Sequence, residues 1–120
     1  MRIGPCLAIA FAALAAVSAR ADDQAARWVG RWKMYTETMA TPMYLTLKDA
    51  GGKLTGTVDP GEFGIAMLRT DTLRLKLNDA FGAILDCKVA LKPGGSEFEG
   101  DCHYHNHGRD ERRHLTGERQ

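Results

Sequence analysis

Apolar and polar residues alternate along most of this chain. Met43, Leu45 and Leu47 alternate with Tyr44, Thr46 and Lys48. Leu54, Gly56 and Val58 alternate with Thr55, Thr57 and Asp59, and Leu73, Leu75 and Leu77 with Arg74 and Lys76. A period of two puts one set on each face of a β-strand. Trp32, Met34, Thr36 and Thr38 share a face of an earlier strand on the same reading. Residues that favour turns punctuate the runs: Thr41-Pro42, Asp49 to Gly52, Asp59-Pro60-Gly61, Thr70-Asp71, Asn78-Asp79 and Asn106-His107-Gly108. Ile65 to Leu68 is a short apolar run whose register the pattern leaves open. About eight strand candidates result, spaced by roughly 8–12 residues, and no long helical period interrupts them.

The stretch from Ile84 to His105 is the most informative. Gly94-Gly95 suits a two-residue hairpin turn, because glycine tolerates positive φ. Folded there, the chain sets Cys87 opposite Cys102, Leu91 opposite Phe98, Val89 opposite Gly100 and Leu85 opposite Tyr104. The other face sets Lys92 against Glu97, Lys88 against Asp101 and Asp86 against His103. One register thus yields an apolar face, a face of matched charge and a cysteine pair at about 4.5–5.5 Å between Cα atoms, within disulfide reach. A second hairpin with a four-residue loop puts Leu47 opposite Leu54 and Leu45 opposite Gly56.

Short connections make sequence neighbours spatial neighbours, which predicts an antiparallel meander. A meander leaves two edges unless it closes. The fold class expected is therefore all-β, an up-and-down barrel of about eight strands carrying one disulfide. Arg112 to Glu118 is either its last strand or a frayed tail.

Residues 1–21 read as a secretory signal. Arg2 supplies the charge, Cys6 to Val17 the apolar run, and Ala19-Arg20-Ala21 the cleavage pattern. Cys6 lies too early in that run for a lipid anchor. Removal of 21 residues from 120 leaves 99, enough for one small domain over 22–120. The signal holds two of the 16 basic residues, so the mature chain carries 14 against 15 acidic ones. That balance predicts neither a nucleic-acid nor an anionic-membrane partner. Cys87 and Cys102 are the mature chain's two cysteines, and an even count in an exported chain reads as a disulfide. The expected location is periplasmic or secreted, with no membrane span in the mature chain.

Gly30-x-Trp32 at the head of the first strand resembles the Gly-x-Trp of the calycin superfamily, the lipocalins and avidins. Leu45-Thr46-Leu47 followed by Gly51 to Val58 looks like the first hairpin of avidin-like barrels. The resemblance covers roughly the first third of the mature chain. It implies a barrel with Trp32 plugging one end and a late arginine packed over it: Arg112, Arg113 or Arg119. It does not extend to biotin binding, because no tryptophan follows Trp32. Small exported lysozyme inhibitors are barrels of similar size with a disulfide, but their inhibitory Ser-Gly loop has no counterpart here.

His103, His105 and His107 form the sharpest chemical cluster. Alternate strand residues share a face about 6.8 Å apart, so His103 and His105 can meet one transition metal, with Asp86 as third ligand or supporting partner. The register turns them toward solvent, where a plain hydrated face is the simpler expectation. Ser96, the mature chain's one serine, sits at a hairpin tip, and no glycine-rich phosphate loop precedes a helix. The charge run Arg109 to Arg113 reads as a solvated edge or a protein-contact edge. Met34, Met39, Met43 and Met67 suit either core filling or an adaptable apolar surface.

These features point to an exported, non-enzymatic binding protein without a cofactor. Its expected partner is a small apolar ligand, held by residues such as Trp32, Met34, Leu45 and Leu75, or an envelope protein. A filled core with an exposed Pro60 to Ala66 loop would favour the protein partner. The alternatives are surface metal binding through His103, His105 and His107, an envelope protease- or lysozyme-inhibitor-like role, and a structural envelope protein.

Overall fold

The computed structural model describes residues 24–79 and 81–120. The secretory signal expected over residues 1–21 lies outside them. A helical turn at 24–26 leads into eight strands: β1 Gly30–Thr36, β2 Met43–Ala50, β3 Lys53–Asp59, β4 Glu62–Arg69, β5 Thr72–Asn78, β6 Ile84–Leu91, β7 Glu97–Asn106 and β8 Arg109–Arg119. All pair antiparallel in the order β3-β2-β1-β8-β7-β6-β5-β4. The sheet curls into a nearly closed up-and-down barrel, with β3 and β4 side by side at the seam. The last strand is real. β8 pairs with β7 along its length and with β1 from Leu115 to Arg119.

Alternation decides what fills the barrel. Trp32, Met34, Leu45, Leu47, Leu73, Leu75, Leu77, Leu85, Val89, Phe98 and Leu115 are all buried. Each inward side chain removes roughly 1.5–3 kcal/mol of apolar exposure from water.

The β6–β7 register is the expected one, from Ile84 opposite His105 to Leu91 opposite Phe98. Cys87 and Cys102 are bonded, with Cα atoms 4.0 Å apart. The turn differs from the two-residue expectation. Lys92 N–H donates to the Glu97 carbonyl at 2.9 Å and Gly95 N–H to the Lys92 carbonyl at 3.0 Å. Pro93 presets φ at the second turn position and Gly94, at φ 93°, takes the third, so the loop is Pro93 to Ser96.

The β2–β3 hairpin slips by two residues from its expected register. Leu45 faces Val58, Leu47 faces Gly56 and Asp49 faces Leu54. Gly51 and Gly52 both adopt positive φ and turn the chain alone, while Asp49 Oδ1 accepts the Gly52 N–H at 2.8 Å. A shift of two keeps every side chain on its face.

Pro60 to Ala66 is not a loop. Pro60-Gly61 turns the chain and β4 begins at Glu62. A register shift between Phe63 and Ile65, at Gly64, changes the phase of β4. Phe63, Ala66 and Leu68 pack on the core, while Ile65 is exposed.

Candidate functional site

One end of the barrel is sealed by aromatic rings. Trp28, Trp32 and Phe98 are buried together, with centroids 4.9 Å apart for Trp32 and Phe98 and 5.7 Å for Trp28 and Phe98. Trp32 Nε1 donates to the Trp28 carbonyl at 3.0 Å. The Arg119 guanidinium carbon lies 4.2 Å from the Trp32 ring centroid. Its Nη1 donates to Val29 O and its Nη2 to Arg27 O, both at 2.6 Å, and its Nε to Gly95 O at 3.3 Å. Arg119 is thus the late arginine over Trp32. Arg112 points outward, and Arg113 lies at the far end.

The opposite end is open. A cavity of about 520 Å³ sits there, inside the roughly 300–1,000 Å³ range of small-molecule sites. Met39 and Ala40 from the β1–β2 connection, with Met43 at the start of β2, form one wall. Leu85 on β6 and Tyr104 on β7 form another, with Pro60 and Phe81 at the rim. Asp79 and Arg113 supply formal charge to its lining. Asp79 Oδ1 accepts N–H groups from Phe81 at 2.8 Å and Ala83 at 2.9 Å, which shapes the β5–β6 loop. Phe81 is 88% exposed.

Arg113 reaches this end because β1 stops at Thr36, opposite Leu115. Beyond that point β8 pairs with β7 alone, so the charge run is an edge. It is not uniformly solvated. Counting back by twos from buried Leu115 puts Arg113 and Glu111 on the inner face, where Arg113 Nη2 pairs with Glu111 Oε2 at 2.5 Å. The Arg113 guanidinium carbon lies 4.8 Å from the Tyr104 ring centroid.

Trp32, Met34, Leu45 and Leu75 are each 0% exposed and belong to the core rather than to the cavity lining. Met34 is the nearest in register, paired with Met43. The methionines divide: Met34 and Met43 are buried, Met39 is half-buried against the core, and Met67 sits on β4. Arg113, Met39, Leu85 and Tyr104 are the mouth residues that the expected ligand set omits. Alternation through Leu115 was the signal for Arg113.

The outer face carries the histidines. His103 and His105 rings stack at 6.1 Å, and Asp110 Oδ1 lies 3.4 Å from His105 Nδ1 and 3.9 Å from His103 Nδ1. Asp86 is engaged elsewhere. It takes Arg74 Nη2 at 2.9 Å and Nε at 3.1 Å, and this pairing holds its carboxyl below the usual range. His107 occupies the β7–β8 turn at φ 48°. Among the described residues, no group of three or more histidine, cysteine or acidic side chains is placed to hold a metal ion. Asp101 stands opposite Lys88 as the register requires, and its carboxylate lies 3.3 Å from His114 Nδ1, with His114 Nε2 3.4 Å from Glu99 Oε2. Those carboxylates raise the His114 pKa, Asp101 most. Among the described residues no helix is long and apolar enough to cross a membrane.

Comparison with protein-family models, curated proteins and solved structures finds no match to this chain.

Proposed function

We propose that this chain is an exported, non-enzymatic binding protein of calycin type that holds a small apolar molecule at the open end of its barrel. The observation that carries the reading is the cavity of about 520 Å³ walled by Met39, Met43, Leu85 and Tyr104, opposite the Trp32–Arg119 seal. Methionine walls suit ligands of varied shape, because the thioether chain is flexible and polarizable. The Gly30, Trp32 and Arg119 arrangement supports the calycin assignment, and the disulfide supports export. Native mass spectrometry of protein purified from its own source tests the reading. A co-purified small mass is the expected result. A bare chain in every preparation contradicts it.

A second reading rests on Phe81. An aromatic ring almost wholly in solvent at the rim is a natural anchor for an envelope protein partner, including an enzyme that the barrel inhibits. Loss of a co-purifying protein partner in Phe81→Ser is the expected result of this reading, and preparations that carry a bound small mass but no protein partner contradict it.

A further inference from the structure

Arg113 sits in the mouth with one buried donor unspent. Its side chain is 17% exposed. Nη2 is taken by Glu111, and the ring of Tyr104 lies against the guanidinium. Nε is buried and, among the described residues, donates to no protein atom. A buried donor left without an acceptor costs about 1–3 kcal/mol, so a ligand that brings an acceptor recovers that cost on binding.

Charge then decides which acceptor. The guanidinium is countered by Glu111, and Asp79 adds a carboxylate to the cavity lining. Arg109 also approaches Glu111 at 3.6 Å, but it is 79% exposed and its charge is screened by water. The mouth therefore offers no uncompensated positive charge. A carboxylate or phosphate head would be desolvated beside two carboxylates, a strongly unfavourable placement.

Resting on the mouth as the binding site, we infer that it selects uncharged apolar molecules bearing one hydrogen-bond acceptor, such as an alcohol, ester or amide, with that acceptor on Arg113. Glu111 is the specificity-determining residue: it cancels the charge of Arg113 without consuming Nε. The hydrocarbon part lies along Met39, Met43 and Leu85.

The test uses the mature chain and the uncharged fluorescent probe N-phenylnaphthylamine, displaced by decanol, decanoate or decylamine at mildly alkaline pH. Decanol displaces the probe at a concentration about tenfold lower than decanoate does. Glu111→Gln exposes the guanidinium charge and brings decanoate to within about threefold of decanol. Arg113→Met weakens decanol and leaves decanoate the poorer ligand, an independent check should the Gln variant fold poorly. Decanoate or decylamine matching decanol on the wild-type chain overturns the inference, as does an unchanged ratio in Glu111→Gln. Failure of the probe to bind at all overturns the mouth itself, whereas probe binding with the wrong ligand order overturns only the selectivity.

Discussion

Arg119, next to last in the chain, lies with its guanidinium carbon 4.2 Å from the centre of the Trp32 ring. Gly30 makes the approach possible, because a Cβ there would stand 2.7 Å from Arg119 Nη1. The glycine and the tryptophan of one short motif thus serve the same arginine. Its donors tie β8 to the backbone before β1 and to the β6–β7 loop. Arg119→Met removes a cation–π contact and three charge-assisted hydrogen bonds. Unfolding in urea, followed by tryptophan fluorescence, is expected to show a loss of about 2 kcal/mol. Arg119→Lys recovers little of it, because an ammonium has no planar fork.

Phe98 faces Gly117 across β7 and β8, and its ring fills the space a side chain would need. Trp28 and Trp32 hold that ring from other sides, so it has nowhere to go. Gly117→Ala should destabilise by about 1–3 kcal/mol through overpacking. Adding Phe98→Leu in the same chain should recover part of the loss, and a thermal melt of both variants reads the coupling.

The barrel and the stapled hairpin were legible because period-two alternation and opposed cysteines are local signals. The β2–β3 slip escaped because a shift of two leaves the face pattern unchanged. β4 escaped because Gly64 breaks its phase, so Phe63 and Ala66 point inward at odd spacing. The mouth was hardest to read. Its lining gathers Met39, Asp79, Leu85 and Arg113 from four stretches, and only closure brings them together. Arg113 and Glu111 were hidden in a run of charges, although Leu115 marked their face.

The Cys87–Cys102 bond spans 15 residues. In the chain-entropy account a loop of that length contributes about 3 kcal/mol. The double substitution Cys87→Ser, Cys102→Ser should lower the unfolding free energy by that amount, measured against the oxidised wild type. Unchanged stability would mean the β6–β7 ladder needs no staple.

His114 stands between Asp101 and Glu99, and is 46% exposed. Its folded pKa is raised, by Asp101 first and Glu99 next. The protonated form is therefore favoured in the folded state. The stabilisation is fully present below the unfolded value of about 6.5 and is lost as pH rises through the folded one. Stability should fall slightly across that window, and His114→Gln should flatten the slope. Urea midpoints measured from mildly acidic to mildly alkaline pH check this.

Methyl NMR of the methionines tests the central claim most directly, because Met39 and Met43 wall the mouth while Met67 sits outside it on β4. Titrating N-phenylnaphthylamine into the protein should shift the Met39 and Met43 methyl resonances saturably and leave Met67 in place. Unmoved Met39 and Met43 signals, or shifts confined to Met67, would contradict a binding site at the open end of the barrel.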